Sequence, residues 1–196
     1  MKVDYIIVGA GSAGCVLANR LSTDQKNKIA VFEAGGSSDI WKVKMPLALL
    51  YTMHDPKYNW KYYSEPEPHL NNRRLFCPRG KMIGGCSAHN GMVFVRGNRN
   101  DYERWENFGL KSWSYEKILP YFKKIENWSG GENQYRGSFG LLPVDQSKND
   151  NPLFEAFLGS ASEAGYKINP DMNGEYQEGF GMFDTTIHNG ERASIS

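Results

Sequence analysis

The sequence predicts an α/β fold that opens with a strand, a helix and a second strand parallel to the first. Residues 2–8 form an almost continuous apolar run, as in a strand covered on both faces of a parallel sheet. Apolar residues then recur at helical spacing between positions 12 and 21, and the polar residues 22–24 end this helix. A second apolar run at 28–33 completes one βαβ unit.

A glycine motif lies between the first strand and the helix. Gly9, Gly11 and Gly14 follow the pattern G-x-G-x-x-G, with Ser12 and Ala13 in the variable positions before the last glycine. In this context the glycines permit a tight turn, a close approach to a pyrophosphate and close packing of helix against strand. The helix N-terminus adds free N–H groups and a favourable dipole, so the motif predicts a Rossmann-type dinucleotide site.

Glu33 closes the second strand, where a carboxylate can accept hydrogen bonds from the ribose hydroxyls of an adenosine. A carboxylate at this position disfavours the 2′-phosphate of NADP. FAD and NAD both remain compatible with this unit.

Shorter elements are predicted beyond this unit. Glycine and proline recur through residues 34–79, and this composition favours extended segments and short helical turns. Short amphipathic helices are predicted at 101–105 and 114–125, and Pro120 is expected either to end or to kink the second. Further predictions are a turn and a strand at 137–144, and a helix at 151–165 with Pro152 at its start and Gly165 at its stop.

Composition excludes several classes of function. The 196 residues carry 23 Lys and Arg against 22 Asp and Glu, so no strong field attracts nucleic acid. No apolar run approaches the roughly 18 to 20 residues that span a bilayer. Three cysteines without zinc-type spacing, and no signal-peptide pattern, predict a reducing, cytoplasmic compartment and no metal site. Peripheral association with a membrane is left open.

A second glycine-rich stretch occupies residues 80–92. Gly80, Gly84 and Gly85 allow main-chain N–H groups to approach a cofactor without an intervening Cβ. Ser87 and Asn90 carry hydrogen-bond donors for cofactor oxygens.

These motifs resemble the glucose-methanol-choline (GMC) oxidoreductases, a family of FAD enzymes that oxidise alcohols. The first motif continues as Leu17-Ala18-Asn19-Arg20-Leu21-Ser22 and Glu33-Ala34-Gly35-Gly36. The likeness extends through Asn59-Trp60-Lys61-Tyr62, Arg79 to Gly97, Asp101-Tyr102-Glu103-Arg104-Trp105, Gly137-Ser138-Phe139-Gly140, Gln177-Glu178-Gly179-Phe180-Gly181 and Asn189-Gly190-Glu191-Arg192-Ala193-Ser194.

The resemblance implies an FAD-binding domain over about residues 1–145 and the start of an α+β substrate-binding domain over about 146–196. It implies hydride transfer from the carbinol carbon of a primary alcohol, choline or a related compound, to flavin N5. Oxygen, a quinone or another carrier would then accept the electrons. The family's catalytic histidine lies near the end of a much longer chain. The resemblance therefore implies a truncated N-terminal fragment that is inactive alone and lacks its catalytic base.

Carried over residue by residue, the resemblance also implies a set of contacts with FAD. In the choline oxidase branch, the histidine at the position of His89 is bonded covalently to the 8α-methyl of the flavin. Two differences from that branch leave the identity of the substrate open. Leu50 occupies the position of a tryptophan of the substrate cage, and Gly91 occupies the position of a serine. The predicted cofactor-binding residues are Gly9, Gly11, Ser12, Ala13, Gly14, Glu33, Ala34, Gly80, Gly84, Gly85, Ser87, His89, Asn90, Gly91, Met92 and Val93.

Several residues keep a structural alternative. His89 could pack beside the flavin without a bond, and Cys86 is expected to be a small buried packing residue. The aromatic residues between 58 and 63 favour a sheet face over a pocket for a cationic substrate. A non-catalytic flavin-binding fragment and an NAD-dependent Rossmann enzyme remain as alternative functions. The oligomeric state is not predicted.

Overall fold

The chain begins with the predicted parallel βαβ unit. The computed structural model describes residues 2–196, which divide into two compact units. The first unit contains the described residues through Met92 together with Asn189–Ser196, and the second contains Val93–His188. The predicted domain boundary near residue 145 concerns the division between cofactor and substrate domains, and it stays a prediction.

Strands are short and helices few in the described residues. The helices are α1 (Ser12–Leu21), α2 (Trp41–Lys44), α3 (Leu49–His54), α4 (Arg99–Asn107), α5 (Tyr115–Ile125) and α6 (Pro152–Glu163). The strands are β1 (Tyr5–Val8), β2 (Ile29–Phe32), β3 (Tyr62–Tyr63), β4 (Phe76–Cys77), β5 (Val93–Phe94), β6 (Glu126–Trp128), β7 (Leu142–Val144), β8 (Asp184–Thr185), β9 (Ile187–His188) and β10 (Glu191–Arg192). Short 3-10 helices occur at Pro46–Ala48, Pro68–Leu70, Gly85–Ala88 and Lys111–Trp113.

The parallel pair β1–β2 confirms the order predicted from the sequence, with Tyr5 opposite Ile29 and Val8 opposite Phe32. The expectation that both faces of β1 are covered is wrong for this chain. Ile7 is buried, whereas Val8 is 86% exposed and Phe32 61% exposed. A two-stranded sheet with one crossover helix has too few neighbours to cover both faces, whatever the hydrophobicity of its strands.

The rest of the first unit follows the prediction of extended segments and short turns. Val43, Tyr58, Met82 and Ala88 form a buried cluster that ties α2 to the second glycine-rich stretch. β3 pairs antiparallel with β4, so Tyr63 lies opposite Phe76 and their rings are 5.3 Å apart. Tyr62 and Tyr63 thus lie in a sheet and Tyr58 in the buried cluster, as the core or sheet-face interpretation predicts, whereas Trp60 lies outside both.

Helices α4 and α5 form the core of the second unit through Tyr102, Tyr115 and Ile118. Helix α4 is longer than the predicted 101–105, because Asn98 and Asp101 close a capping box at its start. Helix α5 continues through Pro120 to Ile125, so of the two expected effects of this proline the structure rules out an end of the helix, and a kink stays a prediction. Helix α6 begins at Pro152 as predicted, and Gly165 follows it with φ +83°.

A buried ion network links separate segments of the second unit. The Arg136 guanidinium, fully buried, contacts Asp171 at 2.6 Å, Asp184 at 2.7 Å and Glu126 at 3.2 Å. Arg96 reaches the same Glu126 carboxylate at 2.5 Å. Charges removed from water are tolerated when they are paired and hydrogen-bonded, so this network holds β6 and β8, which carry Glu126 and Asp184, to the segments around Arg96, Arg136 and Asp171. Between residues 2 and 196, no helix has the length and hydropathy needed to cross a bilayer.

Candidate functional site

The first glycine loop has the geometry that its sequence predicts. Gly9 has φ +93°, which opens the turn after β1. A methyl group added at Gly14 would stand 1.9 Å from the Gly9 carbonyl oxygen, so only glycine fits where α1 packs against this turn. A methyl group at Gly11, by contrast, would meet nothing within 4 Å. The side of Gly11 on which a Cβ would lie therefore faces open space, which lets a phosphate approach the main chain there.

The N-terminus of α1 is open to an anion. Gly11 is its N-cap and supplies no side-chain hydrogen bond, and its first turn contains no acidic residue. The first N–H groups of a helix have no partner within the helix, and here no capping side chain takes their place. Ser12, Ala13 and Gly14 thus present their main-chain N–H groups to an anion at the positive end of the helix dipole.

Glu33 is joined to the glycine loop by a direct hydrogen bond. Its Oε2 accepts from the main-chain N–H of Ala10 at 2.8 Å, and its Oε1 accepts from that of Gly35 at 2.9 Å. A carboxylate offers about four acceptor positions, so two main-chain bonds leave capacity for ribose hydroxyls. Ala34, between Glu33 and Gly35, is exposed beside this carboxylate.

The second glycine-rich stretch docks directly on the first loop. The N–H of Gly84 donates to the carbonyl of Ala10 at 2.7 Å. A methyl group added at Gly85 would stand 2.7 Å from the Cα of Gly11, which only glycine avoids. Gly80 bridges to Asn59 and holds the start of the stretch. The sequence predicted two cofactor loops, and the fold brings them into contact.

The hydroxyl of Ser87, which is predicted to donate to the cofactor, already has hydrogen-bond partners within the protein. It donates to the carbonyl of Gly84 at 2.7 Å and accepts from the N–H of Ile195 at 3.1 Å. A hydroxyl has one hydrogen to donate, so a cofactor oxygen would have to compete with the Gly84 carbonyl for it. In this arrangement Ser87 fixes the 3-10 turn at Gly85–Ala88.

His89 is the buried polar group of the site. It is 4% exposed, and its Nε2 has no hydrogen-bond partner among the described residues. Burial, and secondly the positive charge of Arg192, hold the pKa of His89 below its usual value. The imidazole is therefore uncharged at neutral pH. Its Nε2 lacks a hydrogen-bond partner in the described part of the chain, and native proteins usually pair such a buried nitrogen with a ligand or a water molecule.

Asn90 is held by a residue from the far end of the chain. Its Oδ1 accepts from the N–H of Met92 at 3.0 Å and from Nη1 of Arg192, 102 positions later, at 2.9 Å. Gly91 is exposed, Met92 is buried with φ +61°, and Val93 begins β5 in the second unit. The sequence alone predicts no role for Arg192, because no local pattern links it to Asn90.

A sequence profile of the GMC oxidoreductases matches residues 3–196. The chain belongs to the GMC oxidoreductase family. It is 50% identical over 196 residues to an oxygen-dependent choline dehydrogenase of Sinorhizobium fredii, a match that covers all of this chain and 36% of that protein. An enzyme of the same name from Vibrio vulnificus is 50% identical over 98% of this chain and 35% of its own length.

A solved GMC relative has the same fold. The pyridoxine 4-oxidase of Mesorbium loti superposes with a TM-score of 0.92 at 29% identity, over 99% of this chain and 38% of its own. The chain thus spans about a third of the length of the relatives that it matches. Membership in this family confirms the resemblance seen in the motifs.

The groups brought together at this site fit a flavin dinucleotide. The open helix N-terminus suits a pyrophosphate, Glu33 suits a ribose, and the unpartnered Nε2 of His89 lies in the adjoining stretch. The contact between the two glycine loops joins these features within the first unit. The residues present therefore fit the cofactor that the motifs predict.

An open cavity of about 750 Å³ lies beside α2 and α3 in the first unit of this GMC oxidoreductase. Two leucines, a tyrosine and three polar side chains line it: Leu47, Leu50, Tyr51, Lys42, His54 and Asp55. Leu50 is thus among the lining residues.

The cysteines are all free thiols, but one prediction about them is wrong. Cys86 is exposed rather than buried, because it lies on the outer side of the Gly85–Ala88 turn. Cys15 donates its thiol hydrogen to the carbonyl of Ala10 at 3.1 Å and supports the first loop. Across the described positions, no three His, Cys, Asp or Glu side chains form a group that could hold a metal ion.

Proposed function

We propose that this chain is the FAD-binding part of an oxidoreductase that acts on the CH–OH group of a primary alcohol. The single observation that carries the proposal is the direct bonding of both glycine loops and Glu33 through Ala10. Family membership supports the reaction class, and the choline dehydrogenases that match the chain support the substrate class.

Each part of the cofactor has a proposed group of contacts. The first loop and the start of α1 would bind the pyrophosphate, Glu33 and Ala34 the adenosine ribose, and the second stretch the flavin. The proposed contacts are Gly9, Gly11, Ser12, Ala13 and Gly14 for the phosphates, and Gly80, Gly84, Gly85, Ser87, His89, Asn90, Gly91, Met92 and Val93 for the flavin end.

Bound FAD would supply the electron acceptor at its N5 position. The residues described here bind and orient that cofactor, and His89 gives the site an uncharged imidazole at neutral pH. The base that takes the hydroxyl proton is proposed to lie in the part of the relatives that this chain does not span. This chain alone is therefore expected to be inactive.

We also propose that His89 is bonded covalently to the 8α-methyl of the flavin. A neutral imidazole has a nucleophilic lone pair, and the pKa of His89 lies below its usual value because of burial. The new N–C bond would replace one C–H bond of the methyl group: its proton would leave to solvent, its electron pair would pass to the flavin ring, and oxygen would then remove that pair. The unpartnered Nε2 supports this assignment, since a bond to the cofactor would use the atom that nothing else satisfies.

Choline or a related amino alcohol is the proposed substrate, and the cavity around Leu50 is its proposed entrance. The relatives are named oxygen-dependent, which favours oxygen as the final electron acceptor. Three free cysteines favour a reducing compartment, so we propose a cytoplasmic enzyme. Cell fractionation tests the localisation, and recovery of the protein in the membrane fraction would indicate peripheral association with a membrane.

The test uses the full-length gene product, whose visible spectrum is recorded before and after precipitation in acid. We expect a flavin spectrum, colour that stays with the precipitate, and reduction of the flavin by choline without oxygen. His89→Asn should release its flavin into the supernatant, while His69→Asn, at an exposed position, should retain it.

Three results would contradict parts of the proposal. A protein without flavin that binds NAD reversibly would favour the nicotinamide alternative. A yellow protein that no alcohol reduces would favour a non-catalytic flavin-binding protein. Flavin that the wild type releases in acid would contradict the covalent bond alone.

A further inference from the structure

Arg192 is a buried cation without an anionic partner among residues 2–196. It is 8% exposed, and none of the ion pairs in this part of the chain includes it. Its Nε donates to the carbonyl of Val43 at 3.0 Å, and its Nη1 donates to the carbonyl of Asn90 at 2.7 Å and to Asn90 Oδ1 at 2.9 Å. A guanidinium removed from water and bonded to neutral oxygens alone is costly, so its position calls for an explanation.

The contacts of Asn90 settle which way its amide group faces. Both Arg192 Nη1 and the Met92 N–H are donors, so the side-chain atom between them must be the oxygen. The NH₂ group of Asn90 then faces away from both, and Asn90 is an exposed residue. No described residue accepts a hydrogen bond from this NH₂ group.

The geometry points to Arg192 as a positioning residue for the flavin end of the site: it orients the Asn90 amide so that the NH₂ group is presented to the cofactor. This inference rests on the proposed FAD site. It assigns to Arg192 a role that lies outside both glycine loops and acts through Asn90.

His89 supports the same role. Arg192 is the one charged group in the described chain that contributes to lowering the pKa of His89, after burial. A fixed positive charge beside the imidazole disfavours a second one, so the guanidinium also helps to keep His89 neutral. A lysine at position 192 would keep this charge and lose the simultaneous contacts with Val43 and Asn90, which two separate guanidinium nitrogens make.

The main test replaces Asn90 and leaves Arg192 in place. Asn90→Asp keeps an oxygen for Arg192 and Met92 and turns the outward donor into an acceptor. The matched control is Asn133→Asp, because Asn133 is exposed and its Oδ1 also accepts two N–H bonds, from Tyr135 and Arg136. All variants are made in full-length protein carrying His89→Ala, which allows FAD to be removed and added back.

FAD affinity is measured by fluorescence titration of the apo-protein, and folding by urea unfolding. Asn90→Asp should weaken FAD binding by about tenfold or more and leave the midpoint of unfolding unchanged or higher. The control should bind FAD as the His89→Ala parent does. FAD affinity within about twofold of the parent for Asn90→Asp would overturn the inference.

A double-mutant cycle tests whether Arg192 acts through Asn90. Arg192→Lys and Asn90→Ala should each weaken FAD binding, and the double variant should be no weaker than the worse single variant. Effects that multiply would overturn the coupling. Arg74→Lys is the control, since the exposed Arg74 also donates its Nε to a main-chain carbonyl. Should Arg192→Lys fail to fold, the Asn90→Asp result decides the inference by itself.

The two levels of the proposal fail differently. A wild-type protein that is purified without flavin contradicts the proposed function. A parent that binds FAD, with variants that bind it equally well, contradicts only the role of Arg192.

Discussion

The carboxylate of Glu33 lies 2.8 Å from the main-chain nitrogen of Ala10, 23 positions earlier in the chain. The carbonyl of the same Ala10 accepts from the N–H of Gly84 at 2.7 Å. A single residue thus connects the end of β2, the first glycine loop and the second glycine-rich stretch. Any change at Glu33 should therefore affect the loop as well as the proposed ribose contact.

Replacing Glu33 with Gln should weaken FAD binding and loosen the first loop. An amide places an NH₂ group where one of two main-chain N–H groups needs an acceptor, so one buried bond is lost at a cost of about 1–3 kcal/mol. Asp4→Asn is the control, because Asp4 accepts from the Lys28 N–H at 2.9 Å at the far end of the same strand pair. Urea unfolding and FAD titration of the full-length protein carrying His89→Ala, the background used for every FAD titration, measure both effects. Equal losses in the two variants would contradict a specific role for Glu33.

Alanine at Gly14 and at Gly11 should give contrasting results. Gly14→Ala puts a methyl group 1.9 Å from the Gly9 carbonyl, which should destabilise the fold by about 1–3 kcal/mol or more. Gly11→Ala meets nothing within 4 Å and should leave stability nearly unchanged, but its methyl group would occupy the space left for the pyrophosphate. Thermal unfolding and FAD titration distinguish the two. Normal FAD binding by Gly11→Ala would argue against a phosphate at this position.

Stability should fall on acidification in a way that depends on His89. Its pKa is lowered in the folded protein, so below the usual value near 6.5 the unfolded chain binds a proton that the folded chain does not. Stability therefore decreases as the pH falls from about 6.5 toward the folded pKa. Urea unfolding of the full-length apo-proteins, prepared without flavin so that His89 is a free imidazole, should show between pH 7 and pH 5 a smaller loss for His89→Asn than for the wild type. An equal loss in both would contradict the assignment, and His69→Asn serves as the exposed control.

Glu126→Gln should destabilise the second unit strongly. It removes a buried charge that Arg96 and Arg136 both contact, and breaking a buried pair costs about 3–5 kcal/mol. Glu103→Gln breaks an exposed pair with Arg99 on α4 and should cost far less, because water and salt screen that pair. Chemical unfolding of both variants gives the comparison. Similar small losses would mean that the network contributes specificity of fold rather than stability.

Leu50→Trp should increase selectivity for a cationic alcohol if the cavity beside α3 admits the substrate. An indole face attracts a quaternary ammonium by about 0.5–2 kcal/mol, and leucine does not. The KM for choline, relative to that for its uncharged isostere 3,3-dimethylbutan-1-ol, should decrease in the full-length variant. An unchanged ratio would place the substrate elsewhere.

Local pattern predicted the first part of this fold well. The run at 2–8, the helical spacing after Ser12 and the run at 28–33 predicted β1, α1 and β2, and Pro152 predicted the start of α6. The pattern failed where neighbours decide the outcome. Val8 is as apolar as a covered strand requires but is exposed, and Cys86 is exposed rather than buried.

The sequence by itself determined the βαβ unit, the glycine loop, the carboxylate at Glu33 and the family. Each of these depends on residues that are close in the chain, where periodicity and the conformational freedom of glycine act directly. Only the tertiary structure decided that Gly84 binds the loop at Ala10, that His89 is buried with a free Nε2, and that Arg192 holds Asn90. Those contacts join residues up to 102 positions apart, and such partners are chosen by packing and hydrogen-bond satisfaction in the folded chain.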